Sequence, residues 1–387
     1  MQEKEIRFFG KNKDLMIYIA AAMTLVVGLI VRRHLIGFQT RDWTEFWEPW
    51  MNEFNAKGFK AIAGDFYDYA PLFVYFVYFA SLFGTKRLAM LKLVSVGFEL
   101  IAALTSGSIV YHIKKSKTLA LITASIVWMS PIVIANGSMW AQNDSLYTTF
   151  LLLAVLFLMK DDSRLGMIFF GIAFAFKLQA LFWLPIIIML WLFKRIKTLD
   201  LIYVPLMYLI SIIPALIAGR PLGQLLMIYF GQTEQYNTRL SLKYPNIWYI
   251  IGELYLPEYY ISAGKYFALA VILILMVAMV FKFMKEDLSP TMLLLACYVE
   301  GALALYFLPL MHERYGYFIE IIAIIIGVMY IKYFWVPVCQ SLLIFICYSY
   351  YFNYDKPKII PIYVLSVAML FIVMFMTYKF FNWKEDK

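Results

Sequence analysis

The feature that most constrains this chain is a series of long stretches that hold apolar residues and almost no charge. A helix needs about 20 such residues to cross the hydrocarbon core of a membrane. Only helices and closed barrels cross, because the bilayer interior satisfies no backbone hydrogen bond. The sequence therefore predicts an all-α, polytopic transmembrane helix bundle of about 12 spans. The spans are expected over residues 15–31, 88–111, 118–135, 145–159, 165–176, 178–193, 201–218, 266–281, 290–310, 315–331, 334–351 and 359–378.

The composition leaves little room for another class of protein. Of the 387 residues, 63% are hydrophobic and 15% are charged, whereas soluble domains have about 25% charged residues. This excludes a soluble enzyme, a disordered chain and a secreted disulfide scaffold. No long polar block is present to build a soluble domain, so we expect a single domain over 1–387. The net charge of +9 then reflects cytoplasmic loops and anionic lipid headgroups rather than a nucleic-acid partner.

Basic residues indicate the orientation, because short cytoplasmic loops carry an excess of Lys and Arg. Four of them precede the first span, which predicts a cytoplasmic N-terminus. The apolar stretch 72–83 has only twelve residues. If it does not cross, the inner loops after residue 88 hold eleven basic residues, whereas the outer segments after that residue hold eight, half of them over 219–265. We therefore interpret 72–83 as a re-entrant or interfacial helix, with both termini inside and long external loops at 32–87 and 219–264.

The first external loop combines carboxylates with aromatic residues. It holds six carboxylates, and its aromatic residues recur at helical spacing. This pattern indicates an amphipathic helix that lies on the membrane. A solvated helix with an aromatic face and no further role is the alternative. The carboxylates are Asp42, Glu45, Glu48, Glu53, Asp65 and Asp68, and the aromatic residues are Trp43, Phe46, Trp47, Trp50 and Phe54.

A second polar group stands between the third and fourth spans, in the segment NGSMWAQNDSLY. Ionisable groups at or near membrane depth are candidate functional residues. Trp140, Gln142 and Asp144 are therefore candidates for a site on the external face. Helix capping by Asn143, Asp144 or Ser145 is the structural alternative, although a cap does not account for Trp140 and Gln142.

Two further charged groups are expected on the same side. Lys177 interrupts an apolar stretch and marks an outer turn, where it either reaches lipid headgroups or faces an anionic ligand. His312, Glu313 and Arg314 stand at the outer end of the tenth span. A structural Glu313–Arg314 ion pair is the alternative there.

These segments together resemble the GT-C superfamily of integral-membrane glycosyltransferases. The sequence is most similar to bacterial relatives of the GPI mannosyltransferases and of the lumenal glucosyltransferases that extend lipid-linked oligosaccharides. The resemblance covers residues 41 to 315, and its specificity lies in the order and spacing of motifs that are weak singly. Ala70 and Ala141 depart from it, since a second Pro and a Gly are usual there. The matching motifs are Arg41-Asp42-Trp43, Tyr67-Asp68-Tyr69-Ala70-Pro71-Leu72 with Tyr75, Trp140-Ala141-Gln142-Asn143-Asp144, Phe176-Lys177-Leu178-Gln179 within 171–185, and His312-Glu313-Arg314-Tyr315.

The resemblance implies a membrane glycosyltransferase with its site on the external face. The expected partners are a polyprenyl-phosphate-linked hexose donor, a glycan or lipid-linked acceptor of the cell envelope, and membrane lipids. Asp42 is expected to act as the general base of an inverting transfer. The donor phosphate is expected at Arg314, with Lys177 and His312 as further ligands. Residues expected at the sugar or acceptor pocket are Trp140, Gln142, Asp144, Glu45 and Tyr69. The alternative for Trp140, Gln142 and Asp144 is that they order the loop, and Tyr69 is also expected, with Pro71, to fix the re-entrant helix.

No metal and no cofactor is predicted. The chain has three histidines, and its three cysteines lie in apolar stretches, which does not suit a zinc or disulfide framework. Carboxylates of the first loop are the alternative ligands for a divalent ion. Lys- and Ile-rich usage and the compact length suggest a bacterial plasma-membrane protein.

Three other classes of protein compete with this interpretation. A secondary transporter suits twelve spans, but we find no repeat and no matched pair of broken helices. A polymerase or ligase of surface polysaccharide would have its long external loop late in the chain, whereas here it comes first. A scaffold without activity would not need so many polar residues on one side.

Overall fold

The computed structural model describes residues 2–234, 240–251, 258–353 and 355–384. Over these ranges the chain is helical, and its only β-type pairing is a pair of isolated bridges from Leu242 and Lys243 to His312. The predicted all-α class is confirmed. The α-helices in chain order are α1 (Gln2–Leu35), α2 (Glu48–Lys57), α3 (Pro71–Ser81), α4 (Arg87–Lys114), α5 (Lys117–Met129), α6 (Pro131–Ile134), α7 (Asp144–Met159), α8 (Ser163–Phe176), α9 (Leu184–Leu192), α10 (Tyr203–Ala218), α11 (Leu222–Glu234), α12 (Ile247–Ile251), α13 (Glu258–Phe283), α14 (Pro290–Phe307), α15 (Tyr317–Met329), α16 (Trp335–Phe352) and α17 (Ile362–Phe381).

Each predicted span overlaps a helix, but helix length does not confirm twelve crossings. Among the described residues, seven helices are long and apolar enough to span a membrane, or eight if the bent pair 117–139 is one span. The other apolar helices of the bundle have 9 to 16 residues. The seven are Leu15–Leu35, Gly84–Lys114, Thr198–Ala218, Tyr260–Phe283, Pro290–Phe307, Ile331–Phe352 and Ile362–Phe381.

Local sequence signals explain where several helices begin. The side chains of Ser116, Asp162 and Ser289 accept hydrogen bonds from backbone N–H groups in the first turn of α5, α8 and α14. These bonds satisfy donors that a helix start leaves without partners. Pro71 and Pro131 open their helices at a position where a missing N–H costs nothing.

Burial separates the centre of the bundle from its periphery. Every residue of α15 is buried, as are nearly all residues of α14 and α7. Most side chains of α1 over residues 15–35 are exposed, and α13 carries many exposed apolar side chains, such as Tyr266, Leu273 and Ile274. Exposed apolar helices around a buried core are the arrangement expected where lipid replaces water as the solvent.

The aromatic residues of the first loop correct one expectation. The segment is helical, with a π-helix at Trp43–Trp47 followed by α2. Trp47 packs on Trp50, Tyr69 and Phe73 with ring centroids 5.1 to 5.5 Å apart. The prediction that the aromatic face of this helix contacts the membrane is therefore wrong, because four of the five aromatic residues are buried within the protein. Those four are Trp43, Trp47, Trp50 and Phe54.

The short stretch 72–83 forms α3, which has 11 residues and packs against α2, α4, α8 and α10. Tyr75 fixes it to α10, because its hydroxyl donates to the Ser211 carbonyl at 2.8 Å and accepts from the Ala215 N–H at 3.0 Å. At about 1.5 Å per residue, α3 is about 17 Å long, well short of the ~30 Å hydrocarbon core. Asp68 and Tyr69, just before α3, line the polar cavity described next.

Candidate functional site

A cavity of about 860 Å³ lies among α11, α13, α16 and the segments at 41–47, 68–69, 176–182, 240–249 and 308–315. This volume is typical of a site that binds an organic ligand. Its walls combine apolar side chains with an unusual density of charge for a chain of this composition. The charged and titratable lining residues are Arg41, Asp42, Glu45, Asp68, Lys177, Lys243, Lys265, His312, Glu313 and Arg314.

Asp42 is the most closely held carboxylate in the cavity wall. Its Oδ2 accepts hydrogen bonds from Trp140 Nε1 at 2.9 Å and from Gln142 Nε2 at 2.5 Å. Its Oδ1 accepts from the Tyr351 hydroxyl, which in turn accepts the Asp42 backbone N–H at 3.0 Å. The structure thus brings Asp42, Trp140 and Gln142 together, and adds Tyr351 to them.

Two π-helices flank this hydrogen-bonded group. One begins at Trp43, directly after Asp42, and the other, Ala135–Met139, ends directly before Trp140. A π-helix carries one residue more per turn than the α-helix needs, and such segments are frequent at functional sites. Here each extra residue re-aims the chain so that the side chains of Asp42 and Trp140 meet.

The chain that leads to Asp42 is anchored before it reaches the cavity. At the end of α1, Arg32 forms a buried ion pair with Glu99 at 2.7 Å, and its guanidinium lies 3.5 Å from the ring centroid of Trp128. Buried Lys92 then donates to the carbonyls of Leu35 and Phe38 at 3.2 and 2.6 Å. These contacts satisfy the exposed carbonyls of a helix end and fix the start of the loop.

The segment that carries Trp140 is anchored in the same way. Ser95 donates to the Gln142 carbonyl at 2.8 Å, and Thr40 donates to the Trp140 carbonyl at 3.3 Å. Ala141 between them has φ +66°, a left-handed conformation that a Cβ disfavours. A glycine, which is usual in the motif that Trp140-Ala141-Gln142 resembles, would adopt this conformation without strain. Ala70, by contrast, has φ −59° and ψ 140°, values that proline itself adopts.

Trp140, Gln142 and Asp144 do not line the cavity directly. All three are fully buried, and Trp140 and Gln142 reach the cavity through Asp42. Asp144 forms a buried ion pair with Lys177 and accepts from Asn136 Nδ2 at 2.8 Å. We expected these side chains to shape a sugar pocket. Instead, they lie behind the cavity wall and support it.

The structure also does not show the side-chain helix cap that was the alternative for this segment. Asn143 occupies the position before α7, but its side chain makes no capping hydrogen bond. The Asp144 carboxylate instead forms the ion pair with Lys177. Lys177 has an extended backbone and ends α8. Lys177 thus lines the cavity with its charge already matched by a carboxylate.

Arg314 is the clearest unmatched cation of the site. Within the described part of the chain, no carboxylate lies within ion-pair distance of it, and its Nε has no hydrogen-bond partner. Its guanidinium lies 5.3 Å from the ring centroid of Trp140 and 5.7 Å from that of Tyr315. The alternative reading of a Glu313–Arg314 ion pair does not match this geometry.

Lys243 is a second cation that enters the cavity. The backbone at 242–244 is held by hydrogen bonds from Leu242 and Tyr244 to the Met311 carbonyl at 3.1 and 3.2 Å. This places Lys243 beside His312, with its Nζ 5.6 Å from the ring centroid of Tyr351. No carboxylate of the described residues pairs with Lys243.

Burial tunes the titratable groups on this wall. Desolvation raises the pKa of Glu313 to about 7, against the opposing charges of Arg314 and Lys243. Desolvation, with the charges of Arg314 and Lys177, lowers the pKa of His312 well below 6.5. His312 is therefore neutral near pH 7, so it presents a hydrogen-bonding imidazole rather than a positive charge. Desolvation also lowers the pKa of Lys177 to about 8, although Asp144 opposes this.

The two remaining expected pocket residues do line the cavity. Glu45 lies there in an exposed ion pair with Arg41 at 2.5 Å. Tyr69 lines it and packs its ring on Trp47 and Trp50.

Sequence reasoning gave no site role to Tyr351, Lys243 or Gln179, all of which line the cavity. Lys243 counted only toward the charge of the outer loops. Gln179 stood in a motif without a role, although its Oε1 is buried without a hydrogen-bond partner. The one sequence signal near any of these residues was the charge of Lys177 within an apolar stretch.

The sequence matches no protein-family model and shows no significant similarity to a curated protein.

Proposed function

We propose that this chain is an inverting membrane glycosyltransferase of the GT-C type. It moves a hexose from a polyprenyl-phosphate donor to a cell-envelope glycan or lipid-linked acceptor. One observation carries the proposal: a single cavity presents a carboxylate fixed by three hydrogen-bond donors and a guanidinium that forms no ion pair with a described carboxylate. Motif order agrees with it, because the residues that resemble the superfamily converge on this cavity from distant parts of the chain.

Asp42 supplies the base. The acceptor hydroxyl gives its proton to the Asp42 carboxylate as its oxygen bonds to the anomeric carbon, and the bond from that carbon to the phosphate oxygen breaks. The electron pair leaves with the lipid phosphate, and attack from the opposite face inverts the centre. A positioned general base contributes about 10²–10⁴-fold to such a step.

Arg314 and Lys243 stabilise the leaving group. A guanidinium can bind two phosphate oxygens at once, whereas an ammonium acts as a point charge. Negative charge grows on the phosphate during transfer, and fixed cations in a site screened from water stabilise it strongly. Lys177 already pairs with Asp144, so it contributes less net charge, and neutral His312 contributes a hydrogen bond.

The membrane placement that we propose goes beyond helix length. The chain crosses twelve times, has both termini in the cytoplasm, and opens the cavity on the external face of a bacterial plasma membrane. The short helices α7 and α15 lie at the centre of the bundle, where other helices cover them. A helix that contacts protein rather than lipid does not need to match the bilayer thickness. The helix α3 enters from the outside without crossing.

Purified protein in lipid nanodiscs tests the activity. It is incubated with a panel of polyprenyl-phosphate hexoses and a cell-envelope glycan fraction, and lipid-phosphate release is followed with wild type and Asp42→Asn. Release by wild type alone supports the proposal. Absence of release with every donor, together with solute uptake into proteoliposomes, would support a transporter instead.

Membrane placement is tested separately in intact cells. After the three native cysteines are replaced, single cysteines at Lys356 and Lys285 are probed with a membrane-impermeant maleimide. The proposed topology labels position 356 from outside and protects position 285. The reverse pattern would refute it.

A further inference from the structure

The hydrogen bonds of Asp42 distinguish its two carboxylate oxygens. A carboxylate oxygen offers two lone-pair positions in the plane of the group. On Oδ2, Trp140 Nε1 at 2.9 Å and Gln142 Nε2 at 2.5 Å occupy both. On Oδ1, the Tyr351 hydroxyl occupies one. One in-plane lone pair of Oδ1 is therefore left for a ligand.

The position of the cavity agrees with this distinction. Asp42 and Tyr351 line it, whereas Trp140 and Gln142 are fully buried behind the carboxylate. A substrate hydroxyl in the cavity therefore meets the edge of Asp42 that Tyr351 shares.

Tyr351 is held too firmly to rotate away. Its hydroxyl accepts the Asp42 N–H at 3.0 Å, which directs the hydroxyl proton toward Oδ1. Its ring stacks on Trp140 with centroids 4.0 Å apart and an interplanar angle of 23°. The phenol thus bridges the backbone and the side chain of one residue and fixes how the carboxylate is turned.

We propose that Oδ1 of Asp42 is the atom that receives the acceptor proton, and that Tyr351 is the positioning residue that turns this oxygen toward the cavity. The inference rests on the proposed function and adds an atom and a residue to it. In the transfer step, the acceptor O–H bond breaks and its proton moves to Oδ1, while the acceptor oxygen bonds to the anomeric carbon. The Tyr351 hydroxyl keeps its own proton and favours the ionised form of the base, because a hydrogen bond to a charged group is stronger than one to a neutral group.

The test compares Tyr351→Phe with Tyr350→Phe. The Tyr350 hydroxyl also makes two hydrogen bonds, to the carbonyl and N–H of Ile360 at 2.6 and 3.0 Å, but it lies outside the site. Tyr351→Phe keeps the ring on Trp140 and removes only the hydroxyl. We expect kcat to fall roughly 10- to 100-fold, as for a misaligned reacting group, with KM for the lipid donor within about twofold. The acid limb of the pH–kcat profile should move up by about one pH unit, because the ionised base loses a charge-assisted hydrogen bond.

Each outcome decides between a positioning role and a structural one. Loss of kcat with an unchanged pH profile and a thermal stability lowered as in Tyr350→Phe would overturn the inference, as would wild-type kinetics. If Tyr351→Phe does not fold, 3-fluorotyrosine at position 351 keeps the ring and strengthens the donor, so the acid limb should move to lower pH. An unmoved limb in that protein also overturns the inference. Failure of the proposed function is distinguishable, because wild type itself would then release no lipid phosphate.

Discussion

The indole of Trp140 stacks on the phenol ring of Tyr351 with their centroids 4.0 Å apart, and both residues donate hydrogen bonds to Asp42. The stack joins the turn before α7 to the end of α16, which are separated by more than 200 residues in sequence. Stacked rings of this kind contribute about 0.5–1.5 kcal/mol beyond their buried area. The stack therefore orients the two donors before any ligand arrives.

Asp42→Asn should abolish sugar transfer. The amide keeps the shape of the side chain but cannot accept a proton at neutral pH, so we expect kcat to fall by about 10²–10⁴-fold. Expression and binding of the lipid donor should be unchanged. The measurement is lipid-phosphate release, with Asp65→Asn as the control, since Asp65 is an exposed carboxylate of the same loop outside the cavity. Near-normal turnover in Asp42→Asn would rule out the base.

Arg314→Ala should impair use of the phosphorylated donor. It removes a cation that forms no ion pair with a described carboxylate, so the expected loss of kcat/KM is about 10²-fold or more. Arg314→Lys should recover only part of the loss, because an ammonium cannot bind two phosphate oxygens in a fixed fork.

Arg195→Ala is the matched control for Arg314. Arg195 pairs with Asp161 at 2.6 Å and does not line the cavity. Donor titrations of the three variants provide the measurement. Unchanged donor affinity and rate in Arg314→Ala would remove this residue from the site.

Glu313→Gln should change how stability depends on pH. Burial raises the pKa of Glu313 from 4.5 to about 7 in the folded protein. Its stabilising contribution is fully present below pH 4.5 and is lost as pH rises through about 7, so wild type should lose about 3 kcal/mol over this range. His312 stays neutral there, whereas Lys177, with its pKa lowered to about 8, also titrates near the upper end of the range. The part of the slope that Glu313→Gln removes therefore belongs to Glu313.

Thermal unfolding from pH 4.5 to 8 measures this effect. Glu313→Gln should flatten the profile and be more stable than wild type at pH 8. Glu286→Gln is the control, because Glu286 forms a half-exposed i,i+4 pair with Lys282, which contributes little. A wild-type profile that does not fall with pH would contradict the prediction.

Ala141→Gly should stabilise the protein. Ala141 has φ +66°, where glycine avoids the clash of a Cβ and the gain is about 1 kcal/mol. Ala22→Gly in the exposed face of α1 is the control and should never raise the melting temperature, because glycine weakens a helix interior. A lower melting temperature for Ala141→Gly would show that the turn depends on the methyl group.

The positions of the helices were predictable from the sequence. Whether lipid or protein covers each apolar face was not. Long apolar stretches predict the positions of α1, α4 and α13, because about 20 consecutive apolar residues indicate a membrane-spanning helix. The aromatic stripe from Trp43 to Phe54 looks the same whether lipid or protein covers it. Its burial against Tyr69 and Phe73 depends on where α3 packs, and amphipathicity carries no information about that.

The candidate site was predictable to the same degree. Asp42, Trp140, Gln142 and Arg314 stand out because polar groups are rare beside apolar stretches. Tyr351 does not, since it is one aromatic residue among several at the end of α16. Asp144 and Lys177 were both noticed, but only their contact shows that each neutralises the other.

The distance in sequence between Asp42 and Tyr351 has a consequence for biogenesis. The two residues are 309 positions apart, and α16 is the penultimate helix. At roughly 5–20 residues per second, ribosomes need roughly 15 to 60 s to extend the chain from one to the other. Throughout that interval the nascent protein holds Asp42 without one of its three hydrogen-bond donors. The hydrogen-bonded group around Asp42, and with it the proposed activity, can therefore be completed only after α16 has been synthesised.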